Sequence, residues 1–467
     1  MPNTSRTASK SLAWLSLLLA VIMVVMLLVG YRAGVGPCAV GSLATLALFC
    51  MRHPVLKSYA FTVWVFTFVA ASMFYPAAFM TWGGYDLKGM IVPLMQIIMF
   101  GMGTTLSVAD FTRVFKMPWP VFIGFTLQFT IMPLTGFVLA KSFGFPNEVA
   151  AGVILIGCSP SGLASNVMAY LSGGDVALSV TITSCTTLAA PLMTPLWMKG
   201  LAGKLVEVEF LKMMFDIINM IIVPIVAGLI ANRILYSRRR TFSRPIPLIL
   251  TALIAIGLAL LSMQYYTALV GGIVHQLELL VARGLDSLPP LLGSLRNGVI
   301  FGFVLVAVVA LAKLVISVWL KGTDKWMDKA LPIVSMAAIC CIIAVITARS
   351  RDDLMKVGFL LIGSSMIHNL FGYLLAYWLA RAIRLKESAC RTVAFEVGMQ
   401  NGGMASALAM NVLQSPQAAL ASAIFGPWQN ISGSILATYW HRKPAEEVRP
   451  VEAARGISEK GEVNEPA

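Results

Sequence analysis

The chain has 467 residues, of which 58% are hydrophobic and only 12% charged, and its mean hydropathy is +0.82. A soluble globule of this length does not carry so little charge, so a membrane protein is the starting point. Formal net charge is +14, yet the Lys and Arg residues sit in short gaps between apolar runs. They form no basic face, aromatic ladder or zinc spacing of the kind nucleic-acid binding needs.

In chain order the apolar runs cover residues 12–29, 38–51, 60–80, 90–106, 119–140, 150–171, 176–198, 213–231, 247–263, 299–320, 331–346, 357–380, 392–413 and 418–440. A hydrocarbon core about 30 Å thick takes roughly 20 helical residues to cross. Up to fourteen transmembrane helices are therefore expected, with the short, glycine-containing run 38–51 the weakest of them. Arg6 and Lys10 precede the first run as in a signal peptide, but its length and the lack of a small-residue cleavage pattern before Tyr31 predict a retained helix. With the amino terminus in the cytoplasm, the gaps on that side gather about twice the Lys and Arg of the opposite gaps, the Arg238-Arg239-Arg240 cluster among them. That bias predicts an even number of crossings of the inner (cell) membrane with both termini cytoplasmic. Lys313 falls inside a run and is expected to snorkel toward the cytoplasmic interface. The tail 442–467, rich in Glu, Pro, Gly and Lys, is expected to be disordered. The seven cysteines avoid long polar loops and the four histidines are far apart, so neither a disulfide framework nor a structural metal is expected.

Lipid makes unsatisfied polarity expensive, so a span dense in Gly, Pro, Ser, Asn and Gln must face protein, water or ions. Two spans stand out: GVILIGCSPSGLASNVMAYL from Gly152 and TVAFEVGMQNGGMASALAMNVL from Thr392. Pro160, Gly162 and the Ser165-Asn166 pair in the first, and residues 396–403 in the second, are expected to interrupt each helix near mid-span. The two share GLAS at Gly162 and GMAS at Gly403, about half the chain apart, as an inverted-repeat transporter with its site at the crossing would. A broken helix offers free carbonyls and hydroxyls to a cation and half-helix amino termini to an anion. Gln128, Ser165, Asn166, Ser179, Thr183, Glu396 and Gln400 all bear oxygen inside apolar spans, and Ser179 and Thr183 share one helical face.

At these positions the sequence resembles the bile acid:sodium symporter family. The stretches that carry the resemblance are MFGMGTTLSVADF (99–111), LQFTIMP (127–133), the Gly152 span, VALSVTITSCTTLAAPLMTP (176–195), EVGMQNGGMASALA (396–409) and NISGSILATYW (430–440). The resemblance implies an all-α polytopic membrane fold. Its ten-helix core would be two inverted five-helix repeats with two crossing broken helices, here with up to four additional transmembrane helices. It also implies two coupling Na+ ions. One site would use Ser165, Asn166, Ser179, Thr183 and Glu396; the other would use Gln128, Glu396, Gln400 and the carbonyls of Val397 and Met399. Asn401, Ser161, Gly162 and Leu163 are the implied substrate contacts, although Ser161 and Leu163 stand where related sequences often carry Gly or Thr.

The resulting division is extra membrane segments over 1–58, the first part of the symporter core over 59–240, an inserted pair of spans with an outer loop (264–297) over 241–329, the second part of the core over 330–441, and the tail. Lipid packing or dimer contact is the expectation for the two additions. The implied function is sodium-coupled import of a small organic anion by alternating access, without enzymatic chemistry. Other readings of the same residues remain: Glu396 as a structural carboxyl or proton relay, Gln128, Gln400 and Asn401 as helix bridges, and Ser179 and Thr183 as close-packing residues. His368-Asn369 reads as a packing or gating hydrogen bond. Cys158 and Cys185 would matter in a metalloid exporter, and a proton-coupled carrier would use the same fold.

Overall fold

With no water in the hydrocarbon core, each crossing segment must satisfy its own backbone, and the helix is the form that does so. The computed structural model describes residues 3–53, 56–106, 112–236, 244–280, 288–320 and 326–443. Most of them are helical. The Arg238-Arg239-Arg240 cluster and the tail from residue 444 onward lie outside the described residues.

The first helices are α1 (Asn3–Val29), α2 (Val35–Arg52), α3 (Ala60–Phe74), α4 (Ile91–Thr105) and α5 (Pro118–Ser142). The first interrupted span follows as α6 (Asn147–Cys158) and α7 (Ala164–Leu171), then α8 (Val176–Ala202). A single span is built from α9 (Phe210–Ile217), a wide π turn at Ile218–Ile222 and α10 (Val223–Tyr236). After it come α11 (Pro245–Leu280), α12 (Leu288–Lys313), α13 (Trp326–Arg349) and α14 (Arg351–Ala382). The second interrupted span is α15 (Glu387–Gly398) and α16 (Gly402–Asn411), and α17 (Pro416–His441) closes the fold. Each of the fourteen apolar runs overlaps one or two of these helices, though not every run ends with its helix. Ten helical stretches among the described residues are long and apolar enough to cross a membrane, and α3 and α6 are shorter apolar helices.

Some boundaries differ from the sequence expectation. The run 60–80 stops being α-helical at Phe74, before Pro76, and ends in a two-stranded hairpin, Thr81–Trp82 with Tyr85–Asp86, turned by Gly83 and Gly84 at φ 56° and 86°. The outer loop expected over 264–297 is largely helix, because α11 runs to Leu280 and α12 begins at Leu288. Lys313 does not simply snorkel. It is buried, and its Nζ donates to the carbonyls of Ile234 and Leu235 at 2.7 and 2.8 Å. A cation there complements the negative end of α10 and ties the α11–α12 pair to it.

Two packed groups carry the rest. In one, α3 packs on α13 and α4 packs on both α10 and α13. In the other, α5 packs on α6 and α8 just as α14 packs on α15 and α17. Each half of this second group reads long helix, twelve-residue helix, break, short helix, long helix. Because α14 follows α5 by an odd number of crossings, the two halves run in opposite senses. Their turns match too. Gly144 (φ 61°) follows α5 and Gly173 (φ 70°) follows α7, while Arg384 (φ 64°) and Gln414 (φ 51°) take the corresponding places after α14 and α16. Asp175 then caps α8 at Leu178 N, as Ser415 caps α17 at Ala418 N. At the amino terminus, α1 and α2 pair through Ser16 and Ser42, each hydroxyl donating to the other residue's carbonyl at 2.9 Å, and α2 packs on α3.

Helices within a group approach to backbone contact. Gly103 of α4 faces Gly228 of α10, and a Cβ on Gly103 would stand 2.9 Å from the Gly228 Cα. Between the groups the contact is through a long side chain, Met95 of α4 meeting Gly403, whereas Leu331 of α13 meets Gly101 of α4 within the first group. On the side of the hairpin, Lys88 Nζ donates to Gln414 Oε1 at 2.6 Å, and Arg349 pairs with Asp86.

Candidate ion and solute site

Helix α6 ends because Pro160 has no N–H to continue the ladder. The chain runs extended from Ser159 to Gly162 before α7 begins at Ala164, and the second break is shorter, residues 399–401. The Ser165-Asn166 pair and residues 396–398, expected within the breaks, lie on helices beside them. The breaks cross. Ser161 and Gln400 form an antiparallel bridge, with Gly162 N donating to Met399 O at 2.9 Å and Asn401 N to Pro160 O at 2.8 Å. This strand-like pairing satisfies backbone groups that the interrupted helices leave open.

Glu396, on the last turn of α15, is fully buried. Its Oε1 accepts from Ser165 Oγ at 2.6 Å and from Ser179 Oγ at 2.5 Å, and its Oε2 accepts from Thr183 Oγ1 at 2.7 Å. Asn166 Oδ1 lies 2.8 Å from Ser179 Oγ and 3.4 Å from Thr183 Oγ1, and Gly162 O lies 2.7 Å from Ser165 Oγ. All five residues of the first implied site therefore converge. The three hydroxyls supply one proton each, against two carboxylate oxygens, an amide oxygen and a carbonyl. Among the described residues no Lys or Arg side chain hydrogen-bonds to Glu396. The pocket is rich in oxygen lone pairs and centres on one carboxyl group.

The second implied set also gathers. Gln128 Nε2 donates to Ser159 O and to Gln400 Oε1, both at 2.8 Å, and Gln400 Nε2 donates to Val397 O at 2.6 Å. Val397 and Met399 thus each offer a carbonyl that already accepts one hydrogen bond, and a carbonyl has a second lone pair.

Gln429 of α17 went unnoticed in the sequence. Its Oε1 accepts from Gln400 N at 2.7 Å and its Nε2 donates to Gln400 O at 2.9 Å, so its amide grips the Gln400 peptide as a neighbouring strand would. Behind it, Asn369 Nδ2 donates to Gly398 O at 2.9 Å, and Ser432 Oγ donates to Asn369 Oδ1. His368 Nε2 lies 2.9 Å from Met132 O, joining α14 to α5. The signal for Gln429 was available, since Gln429-Asn430 is a polar pair inside an apolar run.

A cavity of about 180 Å³ lies between the two helix groups, beside the crossing. Phe61, Ile98, Met99 and Ile342 line one wall, and Leu163, Gly162, Gln400, Asn401, Gln429 and Asn430 line the other. Asn401 caps α16, its Oδ1 accepting from Met404 N at 3.1 Å. Of the four implied substrate contacts, Gly162, Leu163 and Asn401 reach this cavity. Ser161 does not line it; its side chain is buried and donates to Glu396 O at 2.9 Å. Cys158 is buried at the end of α6, and Cys185 is half-buried on α8.

Comparison with known proteins gives the family. The model of the Sodium Bile acid symporter family matches residues 92–278. The "Uncharacterized sodium-dependent transporter YocS" of Bacillus subtilis (strain 168) is 32% identical over 383 residues, covering 82% of this chain and 91% of that protein. The "Probable sodium/metabolite cotransporter BASS1, chloroplastic" of Arabidopsis thaliana is 24% identical over 391 residues, covering 84% and 75%. The human "Ileal sodium/bile acid cotransporter" is 37% identical over 150 residues, covering 31% and 43%. The broken-helix crossing and the extent of the match with the Bacillus protein lead to one conclusion: this chain belongs to the sodium bile acid symporter family.

Proposed function

We propose that this sodium-coupled transporter imports a small organic anion by alternating access, with two sodium ions per cycle. The reading rests on one observation above all: the buried Glu396 carboxylate at the crossing is surrounded by neutral oxygen atoms, with no basic side chain hydrogen-bonded to it among the described residues. An isolated buried carboxylate is costly. A dehydrated alkali ion held by Ser165, Asn166, Ser179, Thr183 and Glu396 relieves that cost, because each hydroxyl accepts as well as donates.

In this reading Gln128, Gln400, Glu396 and the carbonyls of Val397 and Met399 hold a second ion. Two cations against one carboxylate leave a surplus of about one positive charge, to which the half-helix amino termini add. An anion in the adjacent cavity neutralises that surplus. Gly162, Leu163 and Asn401 are its nearest contacts, and Ser161 acts through the crossing. Solute affinity then rises with sodium, and sodium affinity with solute. Both termini face the cytoplasm, in the inner membrane of the cell, and the 1–58 and 241–329 additions flank the core without altering its sidedness.

Uptake of candidate organic anions into proteoliposomes, with internal and external sodium exchanged for potassium, tests the proposal. Uptake that follows the sodium gradient supports it. Uptake that is equal in both ions but follows a pH gradient would make Glu396 a proton carrier instead. Glu396→Gln keeps the shape of the site and removes its charge, so it should abolish sodium stimulation while the protein still folds.

A further inference from the structure

A second cavity, about 1180 Å³, lies between α14, α15 and α17 and shares no lining residue with the one at the crossing. Along α14 its wall runs from Met366 to Arg381. Fifteen residues at about 1.5 Å each make that about 22 Å, so in a hydrocarbon core about 30 Å thick it reaches from one interface past the midplane. That is more than the depth of one leaflet, about 15 Å, and the cavity's flanks are open to lipid. Leu370, Leu374 and Ile435 line it and are each about half exposed.

Polarity is concentrated at the Arg381 end. Glu387 there accepts from Arg381 Nη1 at 2.7 Å and from Arg391 Nε at 2.9 Å. Lys443 Nζ donates to the hydroxyl of Tyr439, another wall residue, at 2.7 Å. Three cationic groups against one carboxylate leave a surplus of about two positive charges. Trp378, Tyr439 and Trp440 line the same end, the aromatic signature of headgroup depth. A groove with a mostly apolar wall at least one leaflet deep and a cationic aromatic mouth matches an amphipath with a negative head.

We propose that this groove binds one membrane phospholipid with an anionic headgroup, its phosphate beside Arg381 and Lys443 and an acyl chain lying along Leu374 and Ile435 toward Trp428. The floor it covers includes Asn369, Tyr373 and Ser432, and Asn369 holds the Gly398 carbonyl at the start of the second break. An occupied groove therefore braces the crossing from behind.

Tryptophan quenching in the purified full-length chain provides the test. The protein is titrated with phosphatidylglycerol or phosphatidylcholine carrying brominated acyl chains, and with inorganic phosphate alone. The anionic lipid should reach half-maximal quenching at roughly tenfold lower concentration, since a basic residue near the surface contributes about one such charge contact. It should also raise Tm by several degrees, and Trp428→Phe should remove part of the quenched signal. Arg381→Gln combined with Lys443→Gln should erase the lipid preference, Arg381→Lys should retain it, and Ile435→Phe should abolish the part of the quenching that Trp428→Phe removes while leaving lipid-free Tm unchanged. Equal potency of the two lipids would mean ordinary boundary lipid and would overturn the assignment. So would a Trp428 contribution that survives Ile435→Phe, or a Tm shift reproduced by inorganic phosphate alone.

Discussion

Ser161 and Gln400 pair as an antiparallel bridge, and the pairing is made by backbone, with Gly162 N on Met399 O and Asn401 N on Pro160 O. Two helices that each lost part of their ladder recover it from one another. The ion-binding oxygens proposed above are all attached within a few residues of that pairing or face it from α5 and α8, so the bridge sets their mutual distances.

Gly162 is where the bridge leaves least room. A Cβ there would stand 2.6 Å from Gln400 O, a backbone atom that cannot swing aside. Gly162→Ala should therefore destabilise the protein by about 1–3 kcal/mol, as overpacking does, and lower sodium-dependent uptake further than the stability loss explains. Thermal unfolding and uptake measured on the same preparation check both parts.

Gln429→Leu keeps the volume near Gln400 but leaves its N–H without the Gln429 amide oxygen, while its C=O keeps the Gly402 N–H. An unsatisfied buried group costs about 1–3 kcal/mol. Sodium should stabilise the variant less than the parent, because Gln400 is no longer held in register. A thermal-shift titration with sodium reads this directly, and an unchanged midpoint would remove Gln429 from the site.

Arg384→Gly tests the matching turns. A side chain in the left-handed region costs about 1–2 kcal/mol, whereas glycine loses about 0.5–1 kcal/mol more backbone entropy on folding. The difference predicts a variant as stable as the parent or more stable by up to about 1.5 kcal/mol, measured as Tm. Destabilisation would show that the exposed Arg384 side chain makes a contribution of its own.

Asp86, on the hairpin outside the membrane, is held below the usual carboxylate range by the Lys88 backbone N–H and then by the Arg349 guanidinium. A depressed carboxyl contributes stability that is fully present above its unfolded value, near 3.8, and lost as pH falls through the folded one. Asp86→Asn should thus shift Tm by a constant amount between pH 7 and 5, with the gap to the parent closing only at more acid pH. A gap that closes near neutrality would contradict the assignment.

The ten long apolar helices among the described residues were legible because roughly twenty apolar residues leave few alternatives in lipid. The broken helices were legible because Pro160 and the glycines around Gln400 sit where lipid tolerates no irregular backbone. Their limits were not, since Ser165 and Asn166 look like breakers in sequence yet fit the first turn of α7. Helix α11 outran its apolar run straight through Gly271 and Gly272, a pair that reads in sequence as a break. The Gly83-Gly84 turn was a hairpin signal overlooked in so helical a chain. Gln429 and Lys313 became interpretable only once partners far away in sequence were known, a Gln400 peptide and the carbonyl end of α10.

The contrast between glycine-to-backbone contacts inside each helix group and the methionine and isoleucine side chains between them has a mechanical meaning. Helices locked at Gly103 and Gly228 have no slack and translate together, whereas Met95, Met99 and Ile342 can change rotamer at little cost. The molecule is therefore two stiff plates with a greased seam, and the solute cavity lies in the seam. Added bulk should stall the plates wherever it is placed inside them, while the seam should accept resized side chains and, with them, a different cargo.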